Sequence, residues 1–577
     1  MDYTEQMSKH LKILLGLILV LAAAVRLVGI NHGLPYPYQV DEKFLVNHAI
    51  SFGTGDLNPH VFHWPGTSIM YLLFFEYGLF FAIGWLLGIF PDTTAFAELF
   101  ITDPSAFYLI GRITIVLIGT FTVYLVFDIG RKMYSERSGL IAAVFFAFSY
   151  LAVGIDHFIF PDTPLAFLFT LSMLFFYRIV QDGRYSSYLW STLIIGLAIA
   201  TKYNAGALIV PFMVAHFLRV NREQKAWHAY FLDKRLFAGF AMIAAGFAFA
   251  CPFCILDFDT FFYKGFLWQF GRVGSGSFGA DVQNALSYYI FTGLPNSVGV
   301  LLTILSISAV LFALIRHSRE DILLSVFVLF YFLFIGSWKV GIDKYLLPIL
   351  PFFIILAGML TDRIISLFKV SGRKLNMIVA ACTLMVIIEP VSMSINNNYL
   401  LMQPDTRTQA KEWIESNIIE ESRIAIDSGN FDVSKLSPPL SDSIISLQAK
   451  MEVLESDFPE TWAPMKDKIE NYFKIKMKYP PEKGYQLFNI VYSSDGKINK
   501  KASLEEFEKQ NIEYVVVSSY AYDVYDEPVY RKRNPETAEY YSGFYASLDR
   551  EYKSIKVFHP LSKEGPGPTI KIYKINY

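Results

Sequence analysis

The chain has 577 residues, of which 53% are hydrophobic and only 18% are charged, and its formal net charge is −2. Soluble domains usually contain about 25% charged residues, so the composition excludes an ordinary soluble protein, and the nearly balanced charge argues against nucleic-acid binding. Apolar runs separated by short polar loops occupy 1–395, whereas 396–577 has the composition of a soluble domain. We therefore predict a transmembrane region over 1–395 and a soluble α/β domain over 396–577.

Twelve apolar runs in the first region are candidate membrane spans. Cytoplasmic loops of membrane proteins are enriched in Lys and Arg, and the basic loops of this chain all face one side only if the run 67–90 does not cross. The sequence therefore predicts about eleven transmembrane helices, a cytoplasmic N-terminus, and a first outer loop over 31–107 that contains membrane-associated helices. The C-terminal domain is then extracytoplasmic. The runs lie near 11–30, 67–90, 108–130, 139–156, 163–180, 187–200, 204–218, 236–254, 288–315, 321–337, 345–366 and 375–392.

An acidic pair, Asp41 and Glu42, follows the first apolar run on the predicted outer side. Residues at the rim of a span are usually aromatic or basic, so a carboxylate pair at this position favours a role in proton transfer. Aspartate is also favourable at any helix N-terminus. As the structural alternative, Asp41 is therefore predicted to cap a helix over 42–52 that ends at Gly53.

A second acidic segment, Gly154–Pro164, is predicted on the outer side between the third and fourth spans. It contains Asp156, His157 and Asp162, and its prolines hold it extended and interrupt the helices on either side. Ionisable groups near membrane depth are costly and are often functional. Asp162 is therefore a candidate catalytic residue, with capping of the next span as the alternative. His157 is interpreted as a structural partner or a substrate hydrogen-bonding group.

Cations on the same outer side complement these carboxylates. They are Lys202, Arg272, Lys339 and Lys344. Each one alone is explained equally well by snorkelling to lipid headgroups. Four on the outer side oppose the usual bias, and cations beside carboxylates suit a phosphate-bearing lipid as substrate.

The cysteines are Cys251, Cys254 and Cys382. Cys251-Pro-Phe-Cys254 has the spacing of redox dithiols. Its position at the end of an apolar run favours two small buried residues without a redox role. No Cys/His zinc pattern is visible in the sequence, so no metal ligand is assigned.

The last region reads as alternating helices and short β-rich runs, which indicates a small α/β domain. Asp405 is predicted to cap a helix, and Ser503–Gln510 is predicted to form another. Strands are predicted over Arg423–Asp427, Tyr514–Ser518, Lys553–Phe558 and Thr569–Ile575. No phosphate-binding loop or nucleophile motif is visible there, so substrate or partner binding is the expected role of this domain.

Five motifs follow one another along the chain. They are Asp41-Glu42, His60-Val-Phe-His-Trp-Pro65, Phe160-Pro-Asp-Thr-Pro164, Ala200-Thr-Lys-Tyr-Asn204 and Lys344-Tyr-Leu-Leu-Pro-Ile-Leu-Pro351. In this order they resemble the motifs of lipid-carrier-dependent GT-C glycosyltransferases, and the closest branch is glycosyltransferase family 39, which contains the protein O-mannosyltransferases and aminoarabinose transferases. The resemblance covers about residues 10–365. Relatives often have Arg at the position of Lys344, and a lysine cannot form the two parallel hydrogen bonds of a guanidinium to phosphate.

The resemblance implies a membrane enzyme that inverts the sugar's anomeric carbon while moving it from a polyprenyl-phosphate carrier to an acceptor hydroxyl outside the cell membrane. Asp41 would be the general base, with Asp162 and Glu42 as the other catalytic carboxylates. Lys202, Arg272 and Lys344 would stabilise the departing lipid phosphate. The full set of expected substrate-binding residues is His63, His157, Lys202, Tyr203, Arg272, Lys339, Lys344 and Tyr345.

Other interpretations remain open at this point. A secondary transporter is disfavoured because no inverted repeat is evident and the polar residues gather on one face. A non-catalytic scaffold would tolerate substitution of Asp41 and Asp162. The acceptor could be protein, lipid or polysaccharide, and a divalent cation could bind Asp41, Asp162 and His157.

Overall fold

A computed structural model gives the architecture of the chain. It describes residues 7–63, 66–269, 271, 282–368, 370–427, 436–457, 459–490, 502–562 and 565–575. Arg272, one of the predicted phosphate-binding cations, lies outside the described residues.

Helices dominate the first 401 residues. In chain order they are α1 Lys9–Leu27, α2 Val40–Ser51, α3 Thr67–Leu86, α4 Thr93–Thr102, α5 Ser105–Met133, α6 Glu136–Ala147, α7 Tyr150–Ile155, α8 Asp162–Asp182, α9 Tyr185–Thr201, α10 Ile209–Arg222, α11 Lys234–Ala250, α12 Phe253–Leu256, α13 Ala285–Tyr288, α14 Leu294–Val298, α15 Val300–Arg316, α16 Arg319–Gly336, α17 Leu350–Ser366 and α18 Gly372–Leu401. Short 3-10 turns at Phe52–Thr54, Tyr203–Leu208, Trp227–Tyr230 and Asp343–Leu346, and π-helical segments at Thr260–Phe266 and Tyr289–Gly293, lie between them.

The C-terminal part alternates helices and strands. Its helices are α19 Thr406–Asn417, α20 Ile444–Asp457, α21 Pro459–Lys478, α22 Leu504–Lys509, α23 Ser519–Asp526, α24 Pro528–Arg533 and α25 Pro535–Glu551. Its strands are β1 Arg423–Ile426, β2 Gln486–Asn489, β3 Tyr514–Ser518, β4 Ser554–Phe558 and β5 Ile570–Lys574. The predicted strands are each present within one residue, and Asp405 caps α19 by accepting a hydrogen bond from the backbone N–H of Arg407. Strand β2 and most of the helices between the strands were not predicted.

The chain divides into two compact units, which are described separately. The first comprises 1–30, 44–78 and 109–398, and the second comprises 31–43, 79–108 and 399–577. The second unit therefore contains the C-terminal domain together with two parts of the first predicted outer loop. The boundary between the units falls inside α2, after Lys43.

Small residues allow helices of the first unit to approach closely. Helices α9 and α11 meet at Gly196 and Gly246, where a Cβ on Gly196 would lie 2.3 Å from the carbonyl oxygen of Ile243. Helices α6 and α17 meet in the same way at Gly358, whose Cβ would lie 2.7 Å from the carbonyl oxygen of Ser138. Such contacts between small residues favour helix association in lipid, where there is little hydrophobic driving force between helices.

Six helices of the described residues are long and apolar enough to cross a membrane. They are Lys9–Leu27, Thr67–Leu86, Ser105–Met133, Asp162–Asp182, Tyr203–Arg222 and Gly372–Asn417, the last including α18 and α19. The predicted fold class is confirmed as a largely helical membrane protein with a C-terminal α/β region. The count of eleven spans stays a prediction, as does the placement of 67–90, whose helix α3 is long enough to cross.

Two predicted runs are interrupted. The run 139–156 contains α6 and α7 with a break at Phe148 and Ser149, and 288–315 is broken at Gly299, which has φ of +82°. A hydropathy run records only that a segment is apolar. It does not record where the backbone turns within that segment, so these breaks escaped the sequence interpretation.

Cys251 and Cys254 are bonded to each other, with their Cα atoms 5.5 Å apart. The sequence interpretation, two small buried residues at the end of an apolar run, did not include this bond. Both side chains are buried beside Phe62 and Ala200. Two cysteines three positions apart at a helix end can point to the same side and form a bond. The apolar composition of the run gives no information about such a bond.

The second unit has a mixed five-stranded sheet in the order β2-β1-β3-β5-β4. Strand β1 runs parallel to β2 and β3, and β5 runs antiparallel to β3 and β4. Successive residues of a strand point to opposite faces. Accordingly, Val515 and Val517 pack against Phe544 of α25, whereas Val516 packs against Ile414 of α19. Both faces of the sheet are therefore buried under helices.

Candidate active site

A buried ion pair joins two of the predicted site residues, Asp162 and Lys202. The Lys202 Nζ lies 2.7 Å from Asp162 Oδ1. Only 1% of Asp162 and 8% of Lys202 is exposed. Removing two charges from water is costly, and an ion pair with good geometry offsets part of that cost.

The helical hairpin α8–α9 explains why these two residues meet. Asp162 is the first residue of α8, directly after Pro161, and Lys202 directly follows the last residue of α9. The two helices are joined at Gly183, which adopts a φ of +60° that favours glycine. Because the chain reverses there, the start of α8 and the end of α9 return to the same end of the hairpin.

One oxygen of Asp162 has no hydrogen-bond partner among the residues that the structure describes. Asp162 Oδ2 is buried and unpaired, although Oδ1 binds Lys202. An unsatisfied buried carboxylate oxygen is unfavourable. It leaves Asp162 able to accept one more hydrogen bond, for example from a bound hydroxyl group.

Aromatic rings lie against both lysines. Lys202 Nζ is 4.6 Å from the centroid of the Tyr345 ring, and Lys344 Nζ is 4.9 Å from that of Phe160. Cations are attracted to the faces of aromatic rings, most strongly where water is excluded. The turn at Tyr345 and the Phe160–Asp162 segment are therefore brought to the same place as the end of α9.

A second buried network supports the segment before Asp162. Arg26 Nε donates to Asp156 Oδ2 at 2.6 Å, and Thr163 Oγ1 donates to Asp156 Oδ1 at 2.5 Å. Arg26 Nη1 also donates to the carbonyl oxygen of Ala147 at 2.8 Å. Because Thr163 is adjacent to Asp162, this network fixes the backbone from which the Asp162 side chain projects.

His157 is enclosed by backbone carbonyl groups. Its Nδ1 lies 2.8 Å from the carbonyl oxygen of Val153, and its Nε2 lies 2.9 Å from that of Val28. Burial lowers the pKa of His157, so the ring is neutral near pH 7 and one nitrogen donates at a time. The geometry gives His157 structural partners on both nitrogens.

The first acidic pair lies in the second unit, and Asp162 lies in the first. Helix α2 covers Val40–Ser51 and so begins two residues before the predicted helix over 42–52. Asp41 therefore lies in the first turn of the helix and is not the N-cap that the sequence had predicted. A carboxylate in the first turn still interacts favourably with the helix dipole. Glu42 is fully buried, whereas Asp41 is half-buried.

Three other expected substrate-binding residues make contacts of their own. The Tyr203 hydroxyl donates to the carbonyl oxygen of Phe62 at 2.8 Å. The His63 ring contacts Trp268, with their centroids 4.9 Å apart. Lys339 is exposed, and its backbone carbonyl accepts from the N–H of Val282.

Two of the three residues suggested as cation ligands, Asp162 and His157, bind other groups of the protein. Asp162 binds Lys202, and both nitrogens of His157 face carbonyl oxygens. Among the residues that the structure describes, no three His, Cys, Asp or Glu side chains gather as metal ligands.

The sequence interpretation missed three groups at this site. Arg26 was not singled out, although an arginine within the first apolar run is a signal of a buried partner. The Asn204 amide, which donates to the Tyr331 hydroxyl at 2.7 Å, gave no such signal. Asp343 also accepts from the Tyr288 hydroxyl at 2.8 Å, and burial raises the pKa of this carboxyl.

The comparison with protein families covers two of the five motifs, Phe160-Pro-Asp-Thr-Pro164 and Ala200-Thr-Lys-Tyr-Asn204. Residues 94–251 match the family model of dolichyl-phosphate-mannose-protein mannosyltransferases. This range contains both members of the Asp162–Lys202 pair. The predicted resemblance to the GT-C glycosyltransferases is therefore confirmed. No curated protein matches the chain.

Solved structures show distant similarities. The Archaeoglobus fulgidus oligosaccharyltransferase in its apo form is 10% identical over 91% of this chain and 72% of that one, with a TM-score of 0.49. ArnT from Cupriavidus metallidurans bound to undecaprenyl phosphate is 12% identical over 96% of this chain and 97% of that one, with a TM-score of 0.48. The S. cerevisiae Pmt1–Pmt2 complex bound to the sugar donor is 20% identical over 44% of this chain and 34% of that one, with a TM-score of 0.32.

Proposed function

We propose that this protein is an inverting glycosyltransferase that moves a sugar from a polyprenyl-phosphate carrier to an acceptor hydroxyl on the outer face of the membrane. The observation that carries the proposal is the family match over residues 94–251, because it includes the buried Asp162–Lys202 pair. A lipid-linked donor accounts for an active site built into a membrane protein. It also accounts for cations beside carboxylates in a protein with so few charged residues.

The proposed reaction needs one base and one stabilised leaving group. The Asp41 carboxylate removes the proton of the acceptor hydroxyl, and the hydroxyl oxygen forms a bond to the anomeric carbon. The bond from that carbon to the phosphate oxygen breaks, and polyprenyl phosphate leaves with the electron pair. Attack from the side opposite the leaving group inverts the anomeric carbon, so no covalent enzyme intermediate is required.

Lys202 and Lys344 are assigned to the phosphate. An ammonium has three N–H donors, and the bond to Asp162 uses one of those of Lys202. The others remain to bind the phosphate oxygens as charge develops on them. Arg272 is assigned the same role from the sequence motif, and Glu42 supports Asp41 from the buried side of α2.

Asp162 is assigned to the orientation of the acceptor. Its unpaired Oδ2 can accept a hydrogen bond from an acceptor hydroxyl, while the bond from Lys202 to Oδ1 holds the carboxylate in place. Lys202 would contact the phosphate of the donor, so the Asp162–Lys202 ion pair would join the residue that binds the acceptor to one that binds the donor.

The deciding experiment measures transfer from a radiolabelled polyprenyl-phosphate sugar by purified wild-type protein and Asp41→Asn in nanodiscs. Acceptors come from an envelope fraction that is afterwards separated into protein, lipid and polysaccharide. We expect label in one fraction with the wild type and a loss of transfer with Asp41→Asn. Full transfer by a well-expressed Asp41→Asn variant would refute the base assignment. Donor transport without transfer would favour a transporter instead.

A further inference from the structure

The C-terminal domain holds the segment that leads to Asp41. Residues 31–43 belong to the same compact unit as 399–577. The Tyr38 hydroxyl lies 2.8 Å from Thr408 Oγ1, near the start of α19. Since Tyr38 precedes Asp41 by three residues, this contact fixes the chain close to the candidate base.

Arg407 makes a second contact with the same tyrosine. Its guanidinium carbon lies 3.7 Å from the centroid of the Tyr38 ring, and it also faces Tyr520 at 5.8 Å. Only 5% of Arg407 is exposed. A planar guanidinium stacks well on an aromatic ring, and the attraction is strongest when both groups are removed from water.

The guanidinium is itself held in place. Arg407 Nε donates to Asp405 Oδ1 at 2.8 Å, and Nη2 donates to Asp405 Oδ2 at 2.6 Å. Two parallel hydrogen bonds of this kind restrict the orientation of the guanidinium plane. Asp405 also caps α19, and Ala410 and Ile414 of that helix are buried against the sheet. The residues that contact Tyr38 therefore belong to a helix that packs into the core of the C-terminal domain.

We infer that the C-terminal domain sets the position of Asp41 through Tyr38, Arg407 and Thr408, which we call the Tyr38 clamp, with Arg407 as its positioning residue. The inference rests on the proposed role of Asp41 as the general base. Arg407 and Thr408 touch no reacting atom. They act by restricting the chain three residues before the carboxylate, and this gives the C-terminal domain a part in transfer although it has no catalytic motif of its own.

The clamp is tested by hydrogen exchange of the full-length protein in nanodiscs. We expect Arg407→Gln and Tyr38→Leu to increase exchange in peptides covering 31–43, while exchange in β1 and β3 stays as in the wild type. Tyr38→Leu changes no residue of 399–577, so it remains informative if Arg407→Gln destabilises the domain. Tyr38→Phe keeps the ring under Arg407 and loses only the hydroxyl contact with Thr408, so we expect its exchange to lie between that of the wild type and that of Tyr38→Leu. Arg531→Gln is the matched control, because this exposed arginine pairs with Asp526 in the same domain.

Kinetics distinguish positioning from general destabilisation. Displacement of a catalytic group by about 1 Å can reduce a rate by about 100-fold, so we expect kcat to fall about 10- to 100-fold in Tyr38→Leu with little change in the KM for donor. Unchanged exchange over 31–43 in both variants, or increased exchange with an unchanged kcat, would overturn the inference. If the wild type transfers no sugar, the proposed function fails, and the exchange data still decide whether the clamp holds this segment.

Discussion

The two buried aspartates near the candidate site differ in how many of their oxygen atoms are used. Asp156 has both oxygens engaged, one by Arg26 and one by Thr163. Asp162 has Oδ1 on Lys202 and Oδ2 unpaired. A fully satisfied carboxylate suits a structural role, whereas a free acceptor next to a cation suits a role in binding. The residues therefore divide by chemistry, although they are only six positions apart.

Lys202→Met is predicted to destabilise the protein and abolish transfer. Removing one partner of a buried ion pair typically costs about 3–5 kcal/mol, because the other charge is left uncompensated. Adding Asp162→Asn should restore part of the thermal stability and none of the transfer. Thermal unfolding in detergent measures the first effect and the transfer assay the second. Lys374→Met, at an exposed lysine with no assigned role, is the control, and an unchanged melting temperature of Lys202→Met would contradict the prediction.

Asp427 is predicted to make the stability of the C-terminal domain depend on pH. Burial raises the pKa of this carboxyl to about 7, and its partners are the Tyr545 hydroxyl at 2.7 Å and the Ser518 N–H at 2.8 Å. The folded state holds the proton of Asp427 more tightly than the unfolded state does. The contribution of Asp427 to the free energy of unfolding is therefore largest below about pH 4 and is lost as the pH rises to about 7. The loss amounts to about 4 kcal/mol.

The measurement compares wild type with Asp427→Asn, which cannot titrate. Urea unfolding of the full-length chain, followed by pulse proteolysis of the C-terminal domain at pH 5 and pH 8, gives both stabilities. The free energy of unfolding of the wild type, relative to that of Asp427→Asn, should be larger at pH 5 than at pH 8. A difference that is the same at both pH values would show that Asp427 is ionised throughout.

Helix α5 packs closely against the side chain of Asp156 at Gly119. A Cβ on Gly119 would lie 2.2 Å from Asp156 Oδ2. Gly119→Ala is therefore predicted to displace the carboxylate that Arg26 binds and to lower the melting temperature. Gly16→Ala in α1 is the control. Apart from the nearby backbone of its own helix, no described heavy atom lies within 4 Å of its Cβ position, and alanine is more favourable than glycine in a helix interior by up to about 1 kcal/mol. Equal effects of the two substitutions would contradict the packing argument.

At the scale of elements, the sequence predicted the helix caps and strands that depend on residues nearby in the chain. Asp405 as the cap of α19 and the strands around Val515 follow from capping chemistry and from alternating or β-branched side chains. The short strand β2, only four residues long, carries no such pattern. It is a strand because it pairs with β1, and that pairing depends on residues more than 60 positions away.

At the scale of the whole molecule, the basic loops predict a cytoplasmic N-terminus and an extracytoplasmic C-terminal domain. The test introduces Lys225→Cys or Ala546→Cys into a protein that carries Cys382→Ala. A membrane-impermeant maleimide should label Ala546→Cys and not Lys225→Cys in right-side-out vesicles, and it should label both after detergent is added. The reverse pattern would place the C-terminal domain in the cytoplasm and would remove the basis for an outer active site.

The sequence by itself determined the membrane region, the α/β character of the last 180 or so residues, and the identity of the candidate carboxylates and cations. These follow from hydropathy, capping and motifs, which are local properties of the chain. Only the tertiary structure decided which charges pair, since Lys202 lies 40 positions from Asp162 and Arg26 lies 130 positions from Asp156. It also decided that residues 31–43 pack with the C-terminal domain. Such pairings arise because helix and domain packing bring distant side chains together where water is excluded, and no local pattern records that geometry.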